Sequence, residues 1–310
     1  MRSTVHGAGD AAVWDVAYPD RPSRMAGVAF AGFCRGETAA DHRLVPHASV
    51  IVALDFGAGP SIVEDAAGGR FQGSLVGGLG YSGSVRVRGE NIACVQVRLS
   101  PVVARAVLDV GPADLGGAVV RLDDLWGRRA SLISERLSET SSWDDRFALV
   151  ETLLADRYED RAAADPEVVR AWDRIVAARG RLRVETLAAE LGWSRKRLWA
   201  RFAAQIGLPP KRAAKLVRFD RAAHRLSAGQ DAARVAADGG YTDQSHLHRD
   251  VMAFAGVTPA TLAEESRRTT AALAEPAGPL RRPARGGSAS GNAGRAVVAR
   301  PGPAWAMCAQ

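Results

Sequence analysis

Two stretches of this 310-residue chain, 48 residues apart, carry one pattern, and that repetition constrains the fold more than any other feature. The first is VETLAAELGWSRKRLWARF (184–202) and the second AARVAADGGYTDQSHLHRDVMAF (232–254). In the first, Val184, Leu187, Ala188 and Leu191 recur at three- and four-residue intervals and line one face of a short helix. Gly192 permits a turn, Ser194 is a natural N-cap, and Leu198 and Phe202, four apart, anchor a second helix that Gly207 ends. In the second stretch Val235 and Ala236 take the parts of Leu187 and Ala188, Gly240 matches Gly192, and Tyr241 matches Trp193. Thr242 or Asp243 caps, and Leu247 and Val251 anchor the next helix. Helix, glycine turn, helix is an arrangement whose second member fits a DNA major groove.

The outward faces follow from about 100° of rotation per residue. With Leu247 and Val251 inward, Ser245, His248, Arg249 and Met252 face out, and His246 lies toward the other flank. In the first copy Lys196, Trp199, Ala200 and Ala203 face out, with Arg197 and Arg201 at the edges. Lys, Arg, His, Gln and Ser side chains bond base edges, and edge arginines suit phosphates. The expected DNA contacts are therefore Ser194, Arg195, Lys196, Arg197, Trp199, Ala200, Arg201, Gln244, Ser245, His246, His248 and Arg249. Trp199 either wedges against a thymine methyl or sugar or tucks sideways into the core.

The stretch GGYTDQSHLHRD (239–250) also invites a metal or hydrolase reading, and geometry opposes both. His246 and His248 diverge by about 160° around a helix, whereas paired helical ligands want i,i+4 spacing. Ser245 is not on a strained G-x-S-x-G elbow. No catalytic residue, metal or cofactor is expected.

Charge divides along the chain. Residues 1–180 hold 20 basic and 24 acidic side chains, residues 181–270 hold 16 and 9, and residues 271–310 hold 5 and 1. An excess confined to one block and a tail is expected when one domain meets a polyanion and another does not. Of the 41 basic residues 38 are Arg, a bias that a GC-rich genome alone would also produce.

Between the copies runs PPKRAAKLVRFDRAAHRL (209–226), with Leu216, Phe219, Ala222, Ala223 and Leu226 as an apolar stripe. Such a helix spans roughly 24 Å. That suits two reading helices on one DNA face, about 34 Å apart. Residues 25–100 instead carry short β-rich runs broken by Gly and Pro. The clearest are MAGVAFAGFC, HASVIVALDFG, RFQGSLVGGL, GSVRVRG and NIACVQVRL, and they suggest a small barrel or sandwich. Helical texture follows Pro101. Leu132, Leu137, Phe147, Val150 and Leu154 read as core or dimer-interface positions. Pro166 suits the first turn of a new helix.

The fold class is thus α+β. Residues 1–162 form a β-rich sensing and dimerisation domain with trailing helices, 163–268 an all-α domain, and 269–310 an Ala/Gly/Pro/Arg-rich tail expected to be disordered. His42 and His47 read as an unliganded surface pair. Three distant cysteines, Cys34, Cys94 and Cys308, fit a reducing cytoplasm, and no apolar run is long enough to span a membrane.

LAAELGWSRKRLWARF, IGLPPK, RFDRA, GYTDQSHLHRD and GVTP (256–259), in that order, resemble the DNA-binding domain of the AraC/XylS transcription regulators over about 165–265. The resemblance implies seven helices with two helix-turn-helix motifs that read adjacent major grooves near a promoter. The family often has Arg where Ala200 stands and Phe where Val251 stands. HRLVPHASVIVALDFG and VQVRLSP…LDDLWG are similar to the cupin-like sensor domains of such regulators. The resemblance implies double-stranded DNA as partner, contact with RNA polymerase, a small-molecule effector and a homodimer. Two alternatives remain. A DNA-repair alkyl acceptor carrying an AraC-like domain needs a cysteine thiolate activated by a His or metal cluster. A non-specific DNA binder needs only phosphate contacts.

Overall fold

The computed structural model describes residues 2–4 and 14–269, apart from 38, 60, 81–82, 84, 112–114, 116–117 and 160–163. The expected tail, with Cys308, lies outside the described residues from 270 onward.

Eleven strands are described: β1 (Arg2–Thr4), β2 (Asp15–Ala17), β3 (Val28–Arg35), β4 (Ala40–Leu44), β5 (Val50–Asp55), β6 (Ser61–Glu64), β7 (Arg70–Phe71), β8 (Leu75–Gly77), β9 (Val85–Gly89), β10 (Ile92–Leu99) and β11 (Val119–Arg121). They form two antiparallel sheets, ordered β1-β2-β3-β10-β5-β8-β11 and β4-β9-β6-β7. The chain passes back and forth between the sheets. The long β3–β10 ladder runs from Val28 opposite Leu99 to Arg35 opposite Ile92. In β5, VIVALD alternates buried and half-buried side chains, as a strand with one face on a core must.

Of the barrel or sandwich that the runs suggested, the described residues form two sheets that do not close into a barrel. The run RFQGSLVGGL, expected as one strand, is two: β7 belongs to the smaller sheet and β8 to the larger, with Gly73 at φ +78° in the bend between them.

The helices are α1 (Pro101–Leu108), α2 (Leu122–Trp126), α3 (Arg128–Glu139), α4 (Trp143–Glu159), α5 (Pro166–Ala177), α6 (Val184–Glu190), α7 (Arg195–Ile206), α8 (Pro210–Ser227), α9 (Ala232–Gly239), α10 (Gln244–Ala255) and α11 (Pro259–Thr269). Pro166 stands at the first turn of α5. Helices α5–α11 are the seven of the C-terminal unit. Leu137, Phe147, Val150 and Leu154 are buried, but Leu132 is 46% exposed and belongs to no core. Its helix turns Leu132 to solvent, because Ala130, Ile133 and Leu137 fill the inner face of α3.

One contiguous apolar cluster runs from Ala17 and Val28 through Trp143 and Leu154 to Phe219, Leu247 and Leu262. Helix α1 packs against α4 and α7, and α11 against β4, so the two halves share that core. Polar contacts join them as well. His47 Nδ1 lies 2.8 Å from Asp220 Oδ1, and Arg212 Nη2 donates to Gly80 O at 3.3 Å.

Candidate nucleic-acid interface

Both glycine turns close in the same way. The Trp193 N–H donates to Ala188 O at 3.0 Å and the Tyr241 N–H to Ala236 O at 3.2 Å. Gly192 and Gly240 adopt φ +65° and +77°, a region in which a side chain is strained. Ser194 Oγ accepts from Arg197 N at 3.2 Å and caps α7; Asp243 Oδ1 accepts from His246 N at 2.6 Å and caps α10. Asp243, not Thr242, is therefore the cap. Thr242 is an added residue, so the reading helices start 49 residues apart although their glycines stand 48 apart. Leu198, Phe202, Leu247 and Val251 are fully buried, as their four-residue spacing requires.

Ser194, Arg195, Lys196, Arg197, Ala200 and Arg201 are exposed on α7 and its cap, as are Gln244, Ser245, His248 and Arg249 on α10. Trp199 is 57% exposed, which decides between its two readings: it points outward. The three arginines of α7 have side-chain partners inside the molecule. The Arg197 guanidinium sits 4.7 Å above the Trp193 ring. Arg195 Nη1 lies 3.5 Å from Glu185 Oε1. Arg201 Nη2 bonds Asp165 Oδ2 at 2.7 Å, just before α5. Hydrogen bonding from Gln205, then from Arg201, lowers the Asp165 pKa.

His246 lies apart from the exposed set. It is half-buried, edge-on to Tyr241 with ring centres 5.3 Å apart, and its Nε2 is 3.4 Å from Arg218 Nη2. Behind it stands a charged cluster that the spacing of apolar residues did not reveal. Asp250, 4% exposed, accepts from Arg218 Nη2 of α8 at 2.8 Å and from Lys215 Nζ at 3.5 Å. Arg218 also lies 4.6 Å above the Tyr241 ring. Burial pushes the Tyr241 hydroxyl up to about 12, with Asp250 reinforcing the shift and Arg218 opposing it. The cluster fixes α10 against α8. Its sequence signal was the placement of Asp250 three residues after Leu247 and one before Val251, on the inner side of the helix.

The expected histidine pair is not a surface pair. His42 points into the space between the sheets, where Trp14 Nε1 and Arg35 Nη1 both approach its Nε2, the latter at 2.9 Å. Burial, then the Arg35 charge, lowers its pKa to about 4. His47 belongs to the contact with α8. Among the described residues no three His, Cys, Asp or Glu side chains gather where a metal ion would sit. At the two described cysteines burial opposes the thiolate that alkyl transfer needs: it raises the Cys34 thiol and pushes Cys94 up to about 12.

Between the sheets lies a cavity of about 150 Å³, lined chiefly by aliphatic and aromatic side chains of both.

A search of the curated proteins returns no match. Among solved structures, ToxT of Vibrio cholerae O395 is 9% identical, covering 79% of this chain and 99% of its own, with TM-score 0.45. Unsaturated fatty acid bound ToxT of strain SCE256 is 10% identical over 82% and 100%, with TM-score 0.46. The C-terminal domain of AraT, a response regulator of Geobacillus stearothermophilus, is 21% identical over 38% and 95%, with TM-score 0.32. Residues 187–265 match the family model described as a helix-turn-helix domain. That match covers α7 to α10 and most of α11, including both glycine turns and both caps. The C-terminal region of this chain is a DNA-binding helix-turn-helix domain of the AraC type.

Proposed function

We propose that the chain is a sequence-specific transcription regulator whose reading helices α7 and α10 enter neighbouring major grooves, under control of a small molecule held between the two sheets. The observation that carries this reading is the pair of exposed, unlike polar faces on α7 and α10, joined by an 18-residue helix. At 1.5 Å per residue α8 spans about 27 Å, close to the ~34 Å that separates successive turns of one DNA face. The basic excess of residues 181–270 supports a polyanionic partner.

In this reading Lys196, Gln244, Ser245, His248 and Arg249 meet base edges. Arg195, Arg197 and Arg201 meet phosphates, as does Ser194 at the start of α7. Trp199 and Ala200 make apolar contact. His246 supports α10 from the side, through Tyr241. A promoter-bound regulator has RNA polymerase as its further partner. A second copy sits on α3 and α4, where Leu132 and Tyr158 are exposed. The cytoplasm is the compartment in which a chain of this kind meets DNA.

Selection from randomised duplexes at fixed salt tests the reading. A recovered motif with two half-elements about one helical turn apart is the expected result. Recovery of no motif, or binding that random competitor removes as readily as selected sequence, would refute it in favour of phosphate-driven attachment.

A further inference from the structure

Strand β4 and the turn after it serve two neighbours at once. Through His42, Arg43, Leu44, Val45 and His47 they form part of the wall of the cavity between the sheets. The same segment also holds the C-terminal helices. Arg43 Nε donates to Glu265 Oε2 of α11 at 2.5 Å, and its Nη2 to Oε1 at 3.3 Å. His47 Nδ1 lies 2.8 Å from Asp220 Oδ1 of α8, and the Ala48 N–H donates to Asp220 Oδ2 at 3.2 Å. Burial opposes ionisation of Asp220, but His47, Arg98 and the Ala48 N–H outweigh it, so its pKa is lowered and it remains a carboxylate.

Helix α8 passes this contact on. Arg218 precedes Asp220 by two residues, about 200° round the helix, and its guanidinium bonds Asp250 of α10 at 2.8 Å. One side of α8 therefore rests on a cavity wall while the other holds the second reading helix. The first reading helix packs on α8 too, and on α1, none of whose residues lines the cavity, but its described ion pairs, Arg195–Glu185 and Arg201–Asp165, lead away from α8.

The lining also defines what enters. A cavity near 150 Å³ with aliphatic walls admits one benzene-sized ring. Its polar side chains already have partners in the protein. Asp55 Oδ2 accepts from Ser61 Oγ at 3.0 Å, His42 meets Arg35, and Arg43 and His47 meet Glu265 and Asp220. An ionised guest would lose its hydration and find these groups engaged; a neutral apolar ring loses little.

We infer, resting on the regulator reading above, that this cavity takes a neutral, single-ring-sized apolar molecule and that the β4 segment carries its occupancy to the second helix-turn-helix unit through Arg43–Glu265 and His47–Asp220. A guest shifts DNA affinity only by binding the clasped and released arrangements unequally, and couplings of this kind are typically fivefold or more.

The test uses the full chain, an operator recovered by selection, and 4-fluorobenzyl alcohol as probe. Fluorine NMR reads probe binding, and operator titration with and without saturating probe reads the coupling. The wild type is expected to bind the probe and to shift its operator Kd about fivefold or more. Ala53→Leu and Val63→Phe, which fill the cavity from opposite sheets, are expected to abolish probe binding. The Asp220→Ala/Glu265→Ala double variant is expected to bind the probe and show no operator shift. A wild type that ignores the probe, or a double variant that keeps the shift, overturns the inference even where circular dichroism shows the filled variants misfolded. A folded filled variant that binds the probe like wild type also overturns it, as does 4-fluorobenzoate binding more tightly than the alcohol. An operator with a silent probe sinks this inference alone; recovery of no operator sinks the regulator reading with it.

Discussion

Arg201 of α7 and Asp250 of α10 both stand seventh in their helices, yet the first has 56% of its side chain exposed and the second 5%. Their neighbours diverge in parallel. Third in each helix stand Arg197, stacked on the half-buried Trp193, and His246, edge-on to the buried Tyr241. The two units share caps, glycine turns and apolar anchors, so the backbone does not explain the difference. The first reading helix is held by Leu198, Phe202 and Ile206, all fully buried, and by an ion pair at the surface. The second adds a buried carboxylate locked to Arg218 of α8. Apolar contact tolerates small rotations, whereas a buried ion pair is favourable in few geometries. One motif is thus held in two ways: both reading helices pack on the long connecting helix, and the second adds a buried ion pair to it.

The sharpest way to break this contrast is to delete each seventh residue. Asp250→Ala leaves the largely buried guanidinium of Arg218 without its carboxylate, and a loss of about 3–5 kcal/mol of stability is expected. Arg201→Ala removes one partner of an exposed pair and is expected to change stability by less than about 1 kcal/mol. Urea unfolding of the full chain measures both. Equal losses would mean that the second unit is held no differently from the first.

Alkaline pH separates the units next, because Tyr241 titrates and its counterpart Trp193 does not. Burial holds the Tyr241 hydroxyl near 12, and an unfolded tyrosine ionises near 10. Between these values the unfolded chain binds fewer protons, so stability falls as pH rises from 10 to 12, by about 2–3 kcal/mol for this group. Tyr241→Phe is expected to remove that part of the slope in urea titrations across the same range. At neutral pH the variant should lose little, because among the described residues the hydroxyl makes no hydrogen bond of good geometry and has only Arg218 near it. An unchanged alkaline slope would show that the ring is not buried in solution.

What the sequence made legible, and what it hid, follows the range of the interactions. Ser194 and the two glycines were readable because caps and turns depend on a few adjacent residues. The stripe on α8 was readable because burial of Leu216, Phe219 and Leu226 imposes helical spacing. Strands β4 and β6 were missed: ADHRL and SIVE lack apolar alternation, and their pairing with β9 is set by a distant stretch of chain. The position of Asp250 on the inner side of its helix was readable, but not its partner, since Arg218 lies 32 residues away. His47 looked free for the same reason, Asp220 being 173 residues distant.

In the proposed reading the two units also differ at Ala200 and Arg249, which occupy equivalent sixth positions. Alanine offers a base no donor, whereas arginine forms a bidentate pair with guanine. Arg249→Ala is expected to weaken the selected operator by about 1–3 kcal/mol and to relax the preference at one position of the second half-element. Selection repeated with the variant measures this, and an unaltered motif would remove Arg249 from base reading.

The smallest expected effect belongs to Arg197. Its guanidinium is already stacked on Trp193 and stands at the edge of the outward face, so in the proposed reading it is expected to meet a phosphate and no base. Phosphate contacts act through counterion release and carry no sequence information. Arg197→Ala should therefore weaken selected and random duplexes alike and reduce the slope of log K against log salt by roughly one. Its counterpart His246 is turned toward Tyr241 and Arg218, and His246→Ala should leave that slope unchanged while loosening α10. A salt slope that responds to His246 and not to Arg197 would invert the assignment of surface and support between the two units.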